Sequence, residues 1–221
     1  SHWRDGSVFR DLDWFDVGGQ HLDLFRRLAR TVEAPHRFDR VIEWGCGGGA
    51  NAVHFAPLAD EFVAADISAA SVEECRRQVN SVCDTRVREV VVDYESPESS
   101  VDSIGTGYDL LLCLYVLELV PSKAYGVRIL EIAHRLLRPG GLAFVQVKYA
   151  TATRSTRSMR RRYVRHLANM TTYAIDEFWS VAQDAGLEPV ALALVPHNAL
   201  DERYGYYLLR NSGADSHCAP G

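Results

Sequence analysis

Two hydrophobic rhythms alternate along this chain. Short apolar runs of strand length occupy Arg40–Trp44, Glu61–Ala65, Val87–Val92, Tyr108–Cys113 and Leu142–Val147. Between them lie stretches whose apolar residues recur at helical spacing: Asn51–Leu58, Ala69–Cys83 behind a Ser68 N-cap, and Ala124–Leu137, closed by Arg138-Pro139-Gly140-Gly141. Strands alternating with helices in this way predict a parallel sheet covered on both faces, an α/β doubly wound fold. The rhythm changes after residue 150. A helix over Ile175–Ala185, ended by Gly186, is followed by β-like segments Glu188–Val195 and Tyr204–Arg210, joined by Pro196–Arg203. The expectation is a seven-stranded, mostly parallel sheet that closes on a C-terminal antiparallel strand.

Residues 1–38 read as an N-terminal helical extension or lid. It holds Phe9, Trp14 and Phe15, then an amphipathic helix over Gln20–Arg30. The main domain is expected over residues 39–210, with an arginine-rich insertion at 151–172 and a disordered tail at 211–221.

Composition changes this picture little. At 221 residues, 47% apolar and 24% charged, the chain suits one ordinary globular domain with appendages. No apolar stretch approaches the length needed to span a bilayer, and the start of the chain has no signal-peptide pattern, so a cytoplasmic location is expected. Five cysteines without a CxxC pair read as reduced thiols rather than disulfides or metal ligands, and no metal is expected. A net charge of −5 argues against a general nucleic-acid binder.

The chemistry concentrates in Val41-Ile42-Glu43-Trp44-Gly45-Cys46-Gly47-Gly48-Gly49, an apolar strand carrying one acid that breaks into a glycine loop. Glycines admit φ > 0 and let a ligand approach bare backbone, which a purely structural turn does not require in such number. Asp66 ends the second strand about twenty residues on, where a carboxylate can accept hydrogen bonds from both ribose hydroxyls. No Lys-Ser/Thr follows the glycines, so a P-loop is excluded. A dinucleotide fingerprint fits loosely as Gly45-x-Gly47-x-x-Ala50.

A third reading uses more of the chain. The glycine loop, Ala65-Asp66-Ile67-Ser68, Val92-Asp93-Tyr94, Tyr108 to Glu118 and Leu136-Leu137-Arg138-Pro139-Gly140-Gly141 together resemble the class I S-adenosylmethionine-dependent methyltransferases, small-molecule branch, over residues 38–210. The resemblance implies that Glu43, Gly45, Cys46, Gly47 and Gly49 lie at the methionine part of the cofactor and that Asp66 binds the ribose. Asp93 would hold the adenine amino group, Ile67 and Tyr94 the adenine faces, and Leu114 would lie nearby. S-adenosyl-L-methionine is the implied cofactor and S-adenosyl-L-homocysteine the product. Many relatives carry a histidine near the helix after strand four, where this chain has Leu119, so no general base is supplied there.

The reaction implied is in-line methyl transfer to a small-molecule, anionic or neutral acceptor, with O-methylation ahead of N-methylation and catalysis mainly by positioning. Expected acceptor-side residues are Tyr115, Lys148, Tyr149, Arg154, Arg161 and His197, with His197 and Tyr115 the catalytic candidates. The arginine stretch 154–165 suits phosphate or carboxylate. Competing readings are an RNA or protein methyltransferase, a non-catalytic cofactor-binding subunit, and a NAD-dependent oxidoreductase.

Overall fold

A computed structural model describes residues 14–153, 156, 171–197 and 202–213. The described residues up to Ile104 and those from Gly105 onward form two compact units.

In the first unit, α1 (Trp14–Thr31) precedes β1 (Phe38–Trp44), α2 (Ala52–Phe55), β2 (Ala59–Asp66), α3 (Ala69–Asn80), β3 (Arg86–Val91) and α4 (Ser100–Ile104). β1 and β2 pair in parallel, with Ile42 opposite Val63, and β2 pairs in parallel with β3. Val41, Ile42, Phe62, Val63, Ala64 and Ala65 are buried without interruption, which explains why these strands read as continuous apolar runs: both faces are covered. α1 turns Val17, Leu22, Phe25 and Ala29 inward, and the Phe25 ring meets Phe55 edge-on at 5.6 Å and Phe38 at 6.2 Å. Burial of such a side chain is worth about 1.5–3 kcal/mol. The helix expected over Asn51–Leu58 is only four residues long and finishes as a 3₁₀ turn, Ala56–Leu58, because Pro57 lacks the N–H that would continue it. Ser68 caps α3 as its sequence predicts, accepting from the Ser71 N–H at 3.3 Å.

The second unit holds β4 (Tyr108–Cys113), α5 (Lys123–Leu136), β5 (Leu137–Lys148), α6 (Ile175–Asp184), β6 (Leu187–His197) and β7 (Glu202–Asn211). β4 and β5 are parallel, and β7 runs antiparallel to both β5 and β6. The strand order is β3-β2-β1-β4-β5-β7-β6, the seven-stranded doubly wound sheet with an antiparallel C-terminal strand that the sequence predicts.

Most element ends shift by a few residues, and two of the shifts have a visible cause. β5 starts five residues early, and the Arg138–Gly141 turn becomes a bulge inside it: Tyr108 faces Leu137, yet Leu110 faces Leu142. A side chain at Gly141 would come within 2.8 Å of the Tyr108 carbonyl, and Gly140 sits at φ 76°. Asn211, expected to open the tail, instead closes β7: it is buried and donates to the Leu137 carbonyl at 2.8 Å and the His134 carbonyl at 3.0 Å. Among the described residues, no helix is long and apolar enough to cross a membrane. Phe9, the arginines of 154–165 and Cys218 lie outside the described residues. The other four cysteines are free thiols.

Candidate active site

At the carboxyl end of β1 the chain turns on two hydrogen bonds, from the N–H groups of Gly45 and Cys46 to the Ala65 carbonyl of β2, at 2.7 and 3.0 Å. Gly45, Gly47 and Gly49 all have positive φ, at 80°, 49° and 92°. Two of these glycines serve different ends. A Cβ on Gly49 would lie 3.1 Å from the Cys75 Cα, so this glycine lets the loop close on α3, whereas a Cβ on Gly47 would meet nothing within 4 Å. Among the described residues, the backbone at Gly47 therefore faces open space.

Asp66 closes β2 and is held by the loop it faces. One carboxylate oxygen accepts from the Gly47 N–H at 3.0 Å and the other from the Ser68 N–H at 2.9 Å. Each oxygen keeps a further lone pair, so the group can still accept two hydroxyls. Ile67 is 61% exposed and Tyr94 43%, which leaves two apolar surfaces uncovered beside that carboxylate's strand and the one after it. Asp93 is exposed, and one of its oxygens accepts from the Glu95 N–H at 2.9 Å.

Glu43 differs from both. It is 1% exposed, one carboxyl oxygen accepts from the Asn51 amide at 2.8 Å, and the other is buried with no hydrogen-bond partner among the described residues. Burial is the main cause that pushes its carboxyl up to about 8, with nearby Asp66 adding to it and the Asn51 bond opposing. The Asn51 oxygen lies 2.7 Å from Nδ1 of His21 on α1. Burial lowers His21 to about 4, so its ring is neutral at physiological pH. Cys46 is a buried wall of the loop, and its thiol is held well above the ordinary range by the Cys75 thiol and by burial, which makes it a poor nucleophile.

In the second unit β4 delivers Leu114, buried, and then Tyr115 at φ 57°, a left-handed conformation costly for a bulky residue. A polar chain holds it there: the Tyr115 N–H donates to Gln146 at 2.7 Å, and the Gln146 amide donates to buried Glu118 at 2.9 Å. The Tyr115 ring stands edge-on to Tyr204 at 5.3 Å, and its hydroxyl is 3.3 Å from that of Tyr206. Burial first, then Tyr115, raises the Tyr206 phenol far above its ordinary pKa, so it stays protonated. Lys148 ends β5 fully buried, its Nζ 5.0 Å from the Tyr204 ring centroid. Tyr149 is tied to β7 by its carbonyl, which accepts from the Arg203 guanidinium at 2.9 Å, and by its N–H, which donates to the Arg203 carbonyl at 2.9 Å.

Tyr115 and Lys148 thus share one cluster, with Tyr149 next in the chain. His197 does not join it. Pro196 and His197 of the expected linker belong to β6, and Glu202 and Arg203 to β7, because the ladder extends to the His197 and Glu202 pair; the histidine is exposed on the edge strand, with β7 between it and β5. Arg154 and Arg161 lie outside the described residues. Residues that sequence reasoning missed are His21, Asn51, Gln146, Tyr204 and Tyr206. The alternation of Tyr204 and Tyr206 along β7 and the place of His21 among the apolar positions of α1 were the signals.

A glycine loop after β1, an acid at the end of β2 and this strand order define a Rossmann-like methyltransferase fold. Solved structures agree. The N-methyltransferase NodS from Bradyrhizobium japonicum, in complex with S-adenosylhomocysteine, matches with a TM-score of 0.65 at 16% identity over 92% of this chain and 91% of its own. The 1,6-didemethyltoxoflavin-N1-methyltransferase of Burkholderia thailandensis matches with a TM-score of 0.67 at 21% identity, covering 94% and 83%. A ubiquinone biosynthesis O-methyltransferase from Ralstonia nicotianae is 28% identical over 91% of this chain and 82% of its own. The chain belongs to the methyltransferase-domain family, whose model matches residues 18–192, and it is a class I S-adenosylmethionine-dependent enzyme.

Proposed function

We propose that this methyltransferase acts on a small hydroxylated acceptor, by O-methyl transfer, with the acceptor held at the tyrosine and lysine cluster of the second unit. The observation that carries this reading is the Tyr115–Tyr206 hydroxyl pair beside buried Lys148. Two phenols can orient a hydroxyl by hydrogen bonds, and the Lys148 ammonium favours an acceptor with anionic character. The relatives named ubiquinone biosynthesis O-methyltransferase support the same choice of attacking atom.

The first unit fits the cofactor. Asp66 has lone pairs left for the ribose hydroxyls, Ile67 and Tyr94 offer apolar surface to a base, and Gly47 leaves open space for the chain that joins them to the amino-acid end. The unpartnered oxygen of Glu43 calls for a donor, and an ammonium group is the natural one in a buried site. S-adenosylmethionine supplies an electrophilic methyl group on its sulfonium. The phenol of Tyr206 stays neutral and so orients the acceptor rather than removing its proton. Catalysis in this reading comes mainly from positioning.

The reading is tested by supplying labelled S-adenosylmethionine with catechols, anionic phenols, amines, RNA and protein as acceptors. Label transfer to a phenolic oxygen, reduced in Tyr206→Phe and Lys148→Met, is the expected result. Transfer only to an amine, RNA or protein overturns it.

A further inference from the structure

Helix α1 reaches the cofactor loop through three contacts that no core-packing role requires. A side chain on Gly18 would place its Cβ 1.9 Å from the Ala50 carbonyl oxygen, so the helix backbone is pressed at this residue onto the end of the glycine loop, while a Cβ on Gly19 would make an ordinary contact with the His54 ring at 3.5 Å. One turn further, buried His21 meets Asn51. Asn51 in turn meets Glu43.

The directions of these bonds follow from one another. The Asn51 amide nitrogen donates to Glu43, so its oxygen can only accept, and the His21 ring must present Nδ1–H to it. A neutral, buried imidazole in that tautomer does so without adding a second charge beside the acid. One Glu43 oxygen is thereby occupied and the carboxyl plane is fixed. The other oxygen is left over, buried and without a hydrogen-bond partner among the described residues. Other groups facing this acid are Asp66 at the end of β2 and the Cys46 thiol, and His54 faces His21; none of them supplies a donor to that oxygen.

We infer that His21 is a positioning residue for the cofactor: acting through Asn51, it orients Glu43 so that the free oxygen receives the ammonium at the amino-acid end of S-adenosylmethionine. This rests on the cofactor reading given above and adds α1 to the cofactor site. The relay touches only one end of the ligand. Its loss should therefore be felt by ligands that carry an amino-acid group and not by those that stop at the thioether.

The experiment compares binding of S-adenosylhomocysteine with binding of 5′-methylthioadenosine, which lacks the amino-acid end, by calorimetry on the full chain. For His21→Leu we expect about tenfold weaker binding of the first ligand, the size of one lost hydrogen bond, and unchanged binding of the second. His21→Asn, which restores a donor near the Nδ1 position, should recover most of the loss. In a double-mutant cycle, Glu43→Gln and His21→Leu should be strongly non-additive. Equal weakening of both ligands, as loosened packing would give, overturns the proposal, and so does an additive cycle or an unchanged His21→Leu. If His21→Leu does not fold, His21→Gln replaces it under the same readings. Wild-type protein that binds neither ligand would instead overturn the cofactor reading, so the two failures are distinct.

Discussion

The glycine loop of the first unit and the tyrosine cluster of the second solve opposite problems. Around the loop, backbone groups do the positioning: Ala65 clips the turn, Gly47 and Ser68 hold Asp66, and the buried Glu43 carboxyl is left half satisfied among the described residues. Around the cluster, side chains position the backbone: Gln146 and Glu118 hold Tyr115 in a left-handed conformation, and Tyr204 and Tyr206 brace its ring and hydroxyl. A backbone-built site presents the same donors whatever the neighbouring side chains are, and suits a ligand that does not change. A side-chain-built site can be altered by single substitutions, and suits a ligand that differs among relatives.

The contrast can be broken most severely at Asp66. Asp66→Ala should release the loop and remove the proposed ribose contact, and so weaken S-adenosylhomocysteine binding about a hundredfold, as expected when the acceptor of several hydrogen bonds is removed. Calorimetry checks this, and a loss below about threefold would mean the loop does not depend on its acid.

A smaller effect concerns pH. The ordinary pKa of Glu43 is 4.5 and its folded value about 8, so between those values the folded protein holds a proton that the unfolded chain has lost. Stability from this group is therefore full below pH 4.5, falls as pH rises, and levels off above 8. His21, lowered from 6.5 to about 4, acts oppositely, adding stability as pH rises between 4 and 6.5. Only the Glu43 slope is left between pH 6.5 and 8, worth about 2 kcal/mol over that interval. Thermal melts of the ligand-free protein should show Tm falling by about 5 °C across it, with a flat profile in Glu43→Gln.

The least expected effect sharpens the second half of the comparison. Tyr206→Phe removes one hydroxyl from the pair with Tyr115 and should change stability by no more than about 1 kcal/mol, while S-adenosylhomocysteine affinity stays the same. A changed cofactor affinity would show that the cluster serves the cofactor rather than the acceptor.

Much of the sheet was legible because strands buried on both faces leave uninterrupted apolar runs, and β4 matches its expected bounds residue for residue. Turn chemistry at Pro139-Gly140-Gly141 was also legible, although the hydrogen-bond ladder continues past it as a bulge. The short α4 after Pro97 gave no such signal, since a single turn of helix has no period to read. His197, expected in a linker, stands instead at the end of β6 for a related reason: a loop and the end of an edge strand carry the same polar composition, and only the ladder tells them apart.

For the candidate site, the glycines, Glu43 and Asp66 could be picked out of the chain alone, because backbone conformations that exclude side chains and strand ends that carry acids leave a mark at fixed spacing. Which polar groups stand together could be read only from the fold. Asn51 lies 30 residues from His21, and Tyr115 lies 91 residues from Tyr206. Contacts over such separations are made by packed elements, and the identities of the residues alone do not record them.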